Sequence, residues 1–178
     1  SSPEKFNGMI DGTVTPLPSK GFTKIGFLLK TFIPLTDILS RYLRPTAEGL
    51  ADETFFETST RLTFRVIAAA IACIGNEDKV GKASASYITD GAARLMIGGE
   101  ARCYTLIAKD HRLALSEGDE APMTSYMRFD NIRVARDLFD GKINAVAAVG
   151  EGKVRIGGMI SQVDNVNRIL DRVALYLA

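Results

Sequence analysis

His111 is the single histidine of the chain, and it falls in Lys109-Asp-His-Arg112, a polar run of the kind that closes a turn. A Ser/His or Cys/His nucleophile needs its base oriented by a third group, and an exposed turn offers no such support. Hydrolase chemistry of that type is disfavoured. Glu117, Asp119 and Glu120 lack the further ligands and the spacing of a calcium loop, so they read as a solvated acidic loop and no metal site is expected. Gly150-Glu-Gly152-Lys153 resembles a phosphate cradle only superficially. A P-loop requires glycine where Ala147 stands and Ser or Thr where Val154 stands, and a dinucleotide fingerprint requires glycine at Arg155. Cys73 and Cys103 occupy apolar runs without a CxxC or Cys/His grouping, and both read as buried thiols in a reducing compartment. No cofactor and no catalytic residue is expected, so the chain reads as something other than an enzyme.

The composition is that of an ordinary globular chain. A chain of 178 residues fits one domain with an extension, and such a domain buries roughly 70% of its unfolded surface without a staple. Its 46% hydrophobic and 24% charged residues are ordinary for a globular chain, and a net charge of +1 gives no overall attraction for nucleic acid. The longest apolar run, residues 66–74, is shorter than the roughly 20 residues that a bilayer requires. The opening Ser1-Ser-Pro-Glu-Lys lacks the basic and apolar regions of a secretory signal, and a cytoplasmic location is expected.

The elements that must position any site follow from periodicity. Residues 1–21 hold Gly8, Gly12, Pro16, Pro18 and Gly21 and predict an extended arm. Residues 22–43 show helical apolar spacing interrupted at Pro34, which predicts two short helices. Lys24, Lys30, Arg41 and Arg44 against the single acid Asp37 suit contact of residues 22–44 with an anionic membrane surface. Residues 54–74 predict a long helix with a capping box at Thr54 and Glu57, and with Phe55, Leu62, Val66, Ala69 and Cys73 on its packing face. From residue 82 to 130 the period becomes two: strands are expected at 84–89, 93–97, 102–108, 113–116 and 123–129, with Asp90-Gly91 as a hairpin turn. Asp130 then caps a helix that Gly141 ends, Asn144 caps a short apolar helix, a lone strand covers 153–156, and a helix opening at Ser161 runs close to the end.

This order, together with the Gly152-Lys-Val-Arg-Ile-Gly-Gly158 strand, resembles the type-two sterol carrier protein family over residues 80–178. The resemblance implies an α+β fold: a twisted, mostly antiparallel five-stranded sheet covered by helices, with an N-terminal helical extension. It divides the chain into an arm at 1–21, a helical extension at 22–78 and a lipid-binding domain at 79–178. It further implies non-catalytic binding and transfer of a fatty acid, acyl ester, isoprenoid or sterol-like lipid in an internal tunnel.

On this chain the tunnel would be walled by Leu95, Ile97, Cys103 and Ile107, then Met127 and Phe129, then Leu138, Phe139 and Ile143. Val146, Val149, Met159, Ile160, Val163, Val166 and Leu170 would complete it. Flexible Met96, Met123, Met127 and Met159 would adapt to ligand shape, and Ala145, Ala147, Ala148, Gly157 and Gly158 would leave room. The helical lead of residues 22–75 is longer than the minimal family domain, as in bacterial members, and Leu175-Tyr-Leu-Ala178 is no peroxisomal signal. The lead also admits an alternative, an accessory protein that docks through these helices on a lipid- or quinone-metabolising enzyme complex or on another copy of itself.

Overall fold

The computed structural model describes residues 24–99, 103–119 and 121–177. The expected arm at residues 1–21 and the acidic Glu120 lie outside them. The chain divides into two compact units, Ser1–Arg41 and Tyr42–Ala178.

In the first unit a helical turn, Ile25–Phe27, runs into a π-helical turn, Leu28–Phe32, and then into α1, Ile33–Leu43, whose last two residues belong to the second unit. Pro34 has no N–H to close an ordinary helical bond one turn back, and the chain passes it by bonding Ile33 N–H to the Leu28 carbonyl five residues earlier. The interruption expected at Pro34 is therefore a π turn joining two helical pieces. No side chain from Ile25 to Leu43 is fully buried.

The second unit opens with the 3-10 turn Gly49–Ala51 and the 25-residue helix α2, Glu53–Glu77. Asp52, not Thr54, caps α2 by accepting from Phe55 N–H at 2.7 Å. The buried stripe is Phe56, Thr60, Phe64, Ile67 and Ile71, rotated by about one residue from the expected face, and Cys73 is exposed. Polar residues hid that phase: Thr60 returns its hydroxyl to the Phe56 carbonyl at 2.8 Å, and Ser59 bonds the Tyr42 carbonyl, so both are buried without penalty. By length and composition α2 could cross a bilayer, contrary to the sequence expectation, yet 44% of its most apolar stretch is buried in the folded chain.

Residues expected as a strand at 84–89 instead begin in α3, Lys79–Ser86. Asp78 caps it by accepting from Val80 and Gly81 N–H at 3.0 and 2.8 Å. Among the small residues that imitated a period of two, Ala85 is fully buried, and the preceding Gly81 allows close packing, since a Cβ there would lie 2.2 Å from the Ile74 carbonyl oxygen. Asp90-Gly91 is consequently no hairpin turn, and Gly91 opens the first strand.

The sheet comprises β1 (Gly91–Ile97), β2 (Cys103–Lys109), β3 (Arg112–Glu117), β4 (Ser125–Phe129) and β5 (Val154–Gly158), in the order β3-β2-β1-β4-β5. Three pairings are antiparallel and β1–β4 is parallel, in agreement with a mostly antiparallel five-stranded sheet. Asp110 and His111 both adopt positive φ, 49° and 62°, the type I′ geometry that matches strand twist, so the sole histidine does close an exposed β2–β3 turn.

One sheet face carries Leu95, Ile97, Leu106, Leu113, Met127, Phe129 and Val154 into the core. Above it lie α2, then α4 (Ile132–Phe139), α5 (Ala145–Gly150) and α6 (Ile160–Leu177). Asn131, one residue later than expected, caps α4, and Gly141 at φ +67° ends it.

Three polar clusters tie the layers together. Asn76 on α2 accepts from Leu113 N–H at 2.9 Å and donates to its carbonyl at 2.7 Å, pairing with edge strand β3 as another strand would. Gln162 on α6, 1% exposed, accepts from Thr124 and Ser125 hydroxyls and donates to the Thr89 carbonyl at 3.1 Å. Arg136, 5% exposed, reaches Ser59 on α2 at 3.1 Å and Asp140 at 2.8 Å. Burial pushes the Asp140 carboxyl up, but hydrogen bonds from Arg136 and Lys142 outweigh it and hold the group below its ordinary value.

Candidate functional site

The short helix α5 is where the helical layer fails to close. Asn144 caps it by accepting from Val146 and Ala147 N–H at 2.9 and 3.1 Å, and the next residues, Ala145-Val-Ala-Ala-Val-Gly150, offer small side chains over only six positions. Between α5, α6 and the β4–β5 edge of the sheet lies a cavity of about 290 Å³. Met127 and Phe129 of β4 and Val154 and Ile156 of β5 form its floor, alternate residues of adjacent strands on one sheet face. Leu138 closes one side, and Ala145, Val146 and Val149 of α5 another.

The remaining wall is one stripe of α6: Ile160, Val163, Asp164, Asn167 and Leu170, at helical spacing. Depth varies along the cavity. Phe129, Val154 and Val163 are buried, whereas Ile160 is 55% and Val146 81% exposed, which places the mouth between α5 and the start of α6.

The floor is stiff. Phe129 meets Phe139 edge to face at 5.5 Å and Phe64 at 5.8 Å, and Phe64 in turn stacks on Phe139 at 5.8 Å. The two polar wall residues both belong to α6. The Asp164 carboxylate accepts from Arg168 Nε at 3.1 Å and remains exposed; Asn167 is half-buried. Such a wall can enclose an alkyl or ring system and hydrogen-bond one polar group.

Of the residues named from the sequence, Met127, Phe129, Leu138, Val146, Val149, Ile160, Val163 and Leu170 border this cavity. The others lie elsewhere. Leu95, Ile97 and Val166 fill the closed core, while Phe139 and Ile143 pack against it from outside, Phe139 as the ring behind Phe129. Cys103 and Ile107 stand opposite Met96 and Ala92, on the sheet face turned away from the cavity. Met159 is half-buried at the β5–α6 junction, where its N–H bonds the Thr124 carbonyl at 3.0 Å. Gly157 and Gly158 make no room in the cavity: a Cβ there would strike the Tyr126 ring at 2.6 Å or the Thr124 carbonyl at 2.3 Å.

Sequence reasoning passed over Val154, Ile156, Asp164 and Asn167. For the strand pair the signal was there in period two. For Asp164 and Asn167 it was masked, because polar residues on an otherwise apolar helix read as its solvent side.

Among the described residues no three His, Cys, Asp or Glu side chains gather as a metal site. Cys103 is buried and Cys73 exposed, which corrects the expectation of two buried thiols; burial pushes the Cys103 thiol up.

No family model and no curated protein matches this chain. Solved structures similar to it include a UbiJ-SCP2 ubiquinone synthesis protein, at 16% identity and TM-score 0.46 over 62% of this chain and 93% of that one. The sterol carrier protein domain 2 of Helicoverpa armigera matches at 15% identity and TM-score 0.48 over 62% and 87%. Sterol carrier protein 2 from Yarrowia lipolytica in its apo form matches at 18% identity and TM-score 0.43 over 60% and 92%. At such identities the likeness concerns fold alone and says nothing of what this chain binds.

Proposed function

We propose that this protein binds an elongated apolar molecule, without chemistry, in the cavity between α5 and α6 and carries it within the cytoplasm. The observation that supports this most is a void of about 290 Å³ walled almost wholly by hydrocarbon, beside the cluster of buried apolar residues between sheet and helices. Occupied, it returns about 0.8 kcal/mol for each methylene removed from water. At about 30 Å³ for a water-sized group it holds roughly ten, so a longer tail would protrude at Val146 and Ile160. Two free cysteines, one of them exposed, suit a reducing compartment.

Native mass spectrometry of the purified protein followed by organic extraction should show a co-purifying lipid. Uptake of a fluorescent alkyl probe should be abolished by Val146→Trp, which plugs the mouth from an exposed position. Persistent absence of ligand together with no probe uptake would overturn the reading.

A second reading concerns residues 25–43. Eight large apolar side chains there, among them Phe27 at 60% and Leu29 at 58%, are exposed, and Lys24, Lys30, Arg41 and Arg44 face one acid, Asp37. That combination suits an anionic bilayer surface. Vesicles containing phosphatidylserine should retain the native protein, and Phe27→Ser with Phe32→Ser should release it. Equal retention on neutral vesicles, or association with an enzyme partner or a second copy in their place, would turn this reading toward docking.

A further inference from the structure

The cavity wall holds a charge asymmetry. Among the described residues Asp164 is its single charged residue and Asn167 its single amide, and every other wall residue is apolar. No lysine or arginine among the described residues belongs to the wall, and the nearest cation on α6, Arg168, is spent on Asp164 itself. The Asn167 side chain makes no hydrogen bond among the described residues, although it is half-buried and set against hydrocarbon. Its polar atoms stay accessible to water, so a ligand group that enters the cavity must replace that water with a hydrogen bond of its own.

From these observations we propose that Asp164 and Asn167 select the head of the bound molecule, favouring an uncharged hydroxyl over a carboxylate or phosphate. The inference rests on the carrier reading above. A hydroxyl can donate to the Asp164 oxygen that Arg168 leaves free and accept from the Asn167 amide, satisfying both groups at once. A carboxylate can only accept, and it would bring a second negative charge beside Asp164. Arg168 softens that repulsion without removing it, because the pair is a solvent-screened one, 63% exposed at Arg168 and 57% at Asp164, bonded through one carboxylate oxygen. The two polar residues sit one helical turn apart between Ile160 at the mouth and Leu170, so the head would lodge along α6 with its tail against β4 and β5.

The test is displacement of an uncharged fluorescent probe by dodecane, dodecanol and dodecanoate at neutral pH. An ionised head is held back by its own hydration at any apolar mouth, so the deciding quantity is the alcohol-to-carboxylate affinity ratio, native against variant. Asp164→Asn should shrink that ratio by roughly fivefold, the effect of one like charge at contact distance in a watery site. Asn167→Leu should weaken dodecanol selectively, and neither change should alter dodecane binding, which a merely structural role would. A ratio unchanged in Asp164→Asn, or dodecanoate bound as tightly as dodecanol by the native protein, would overturn the selection and leave the carrier reading standing. Failure of all three molecules to displace the probe would overturn the carrier reading itself.

Discussion

Over β2 and β3 the helical layer is a 25-residue rod, α2, whereas over β4 and β5 it is the end of α4, the six-residue α5 and one stripe of α6. The sheet face beneath is equally apolar in both places, with Leu106 and Leu113 at one end and Met127, Phe129 and Ile156 at the other. The helices make the difference. α2 delivers Phe64, Ile67 and Ile71, and it approaches β3 so closely that a Cβ on Gly75 would meet Leu113 at 2.6 Å. α5 delivers alanine, valine and glycine and then ends. A cavity thus arises here not from an unusual strand pattern but from a covering element too short and too small to fill the space.

The contrast can be broken by mutation. The largest effect is expected at Phe64, 4% exposed and in ring contact with Tyr104, Phe129 and Phe139. Phe64→Ala should cost about 3–5 kcal/mol in urea unfolding, and a loss under 1 kcal/mol would mean that the closed region is looser than it looks. Gln162 stands between the two regions, and Gln162→Leu strands the buried Ser125 hydroxyl and the Thr89 carbonyl, an expected loss of about 1–3 kcal/mol.

On the open side the effects should move from stability to binding. Val149→Ala, at the rim and 37% exposed, should change stability by less than about 1 kcal/mol while weakening uptake of an alkyl probe. Equal costs for Val149→Ala and Phe64→Ala would erase the distinction between the regions.

The smallest expected effect is a pH dependence remote from the cavity. Asp78 accepts from the Gly81 backbone, the strongest influence on it, and from Tyr176 and Arg172 of α6, and its carboxyl is held down to about 2 from 3.8. A depressed carboxylate adds stability above its unfolded value, and that stability disappears as pH falls from about 4 toward 2. Thermal melts across that window should lose part of their acid slope in Asp78→Asn, and an unchanged slope would show that the contact carries no linkage.

Much of this architecture was legible beforehand. The period-two runs at 93–97 and 123–129, the Lys109-Asp-His-Arg112 turn, the Asn144 cap and the Gly141 stop all appear where their residue chemistry puts them. Two misreadings share one cause. At 84–89 alternating small residues imitated a strand, and on α2 the buried Ser59 and Thr60 shifted the apparent packing face, because local pattern records polarity and not the partner that satisfies it.

The same distinction runs through the candidate site. Residue types alone determined that β4 and β5 would turn Met127, Phe129, Val154 and Ile156 to one face, since a strand alternates its side chains whatever it packs against. Which apolar faces would be filled and which left hollow depended on how far α5 and α6 reach across the sheet. That reach is set by contacts between residues distant in the chain, such as Gln162 with Thr89 and Ser125, and no local periodicity encodes it. Leu95 and Val166 therefore went to the closed core and Asp164 and Asn167 to the cavity wall, because in the folded chain position relative to the neighbouring helix, and not polarity, decides what a side chain faces.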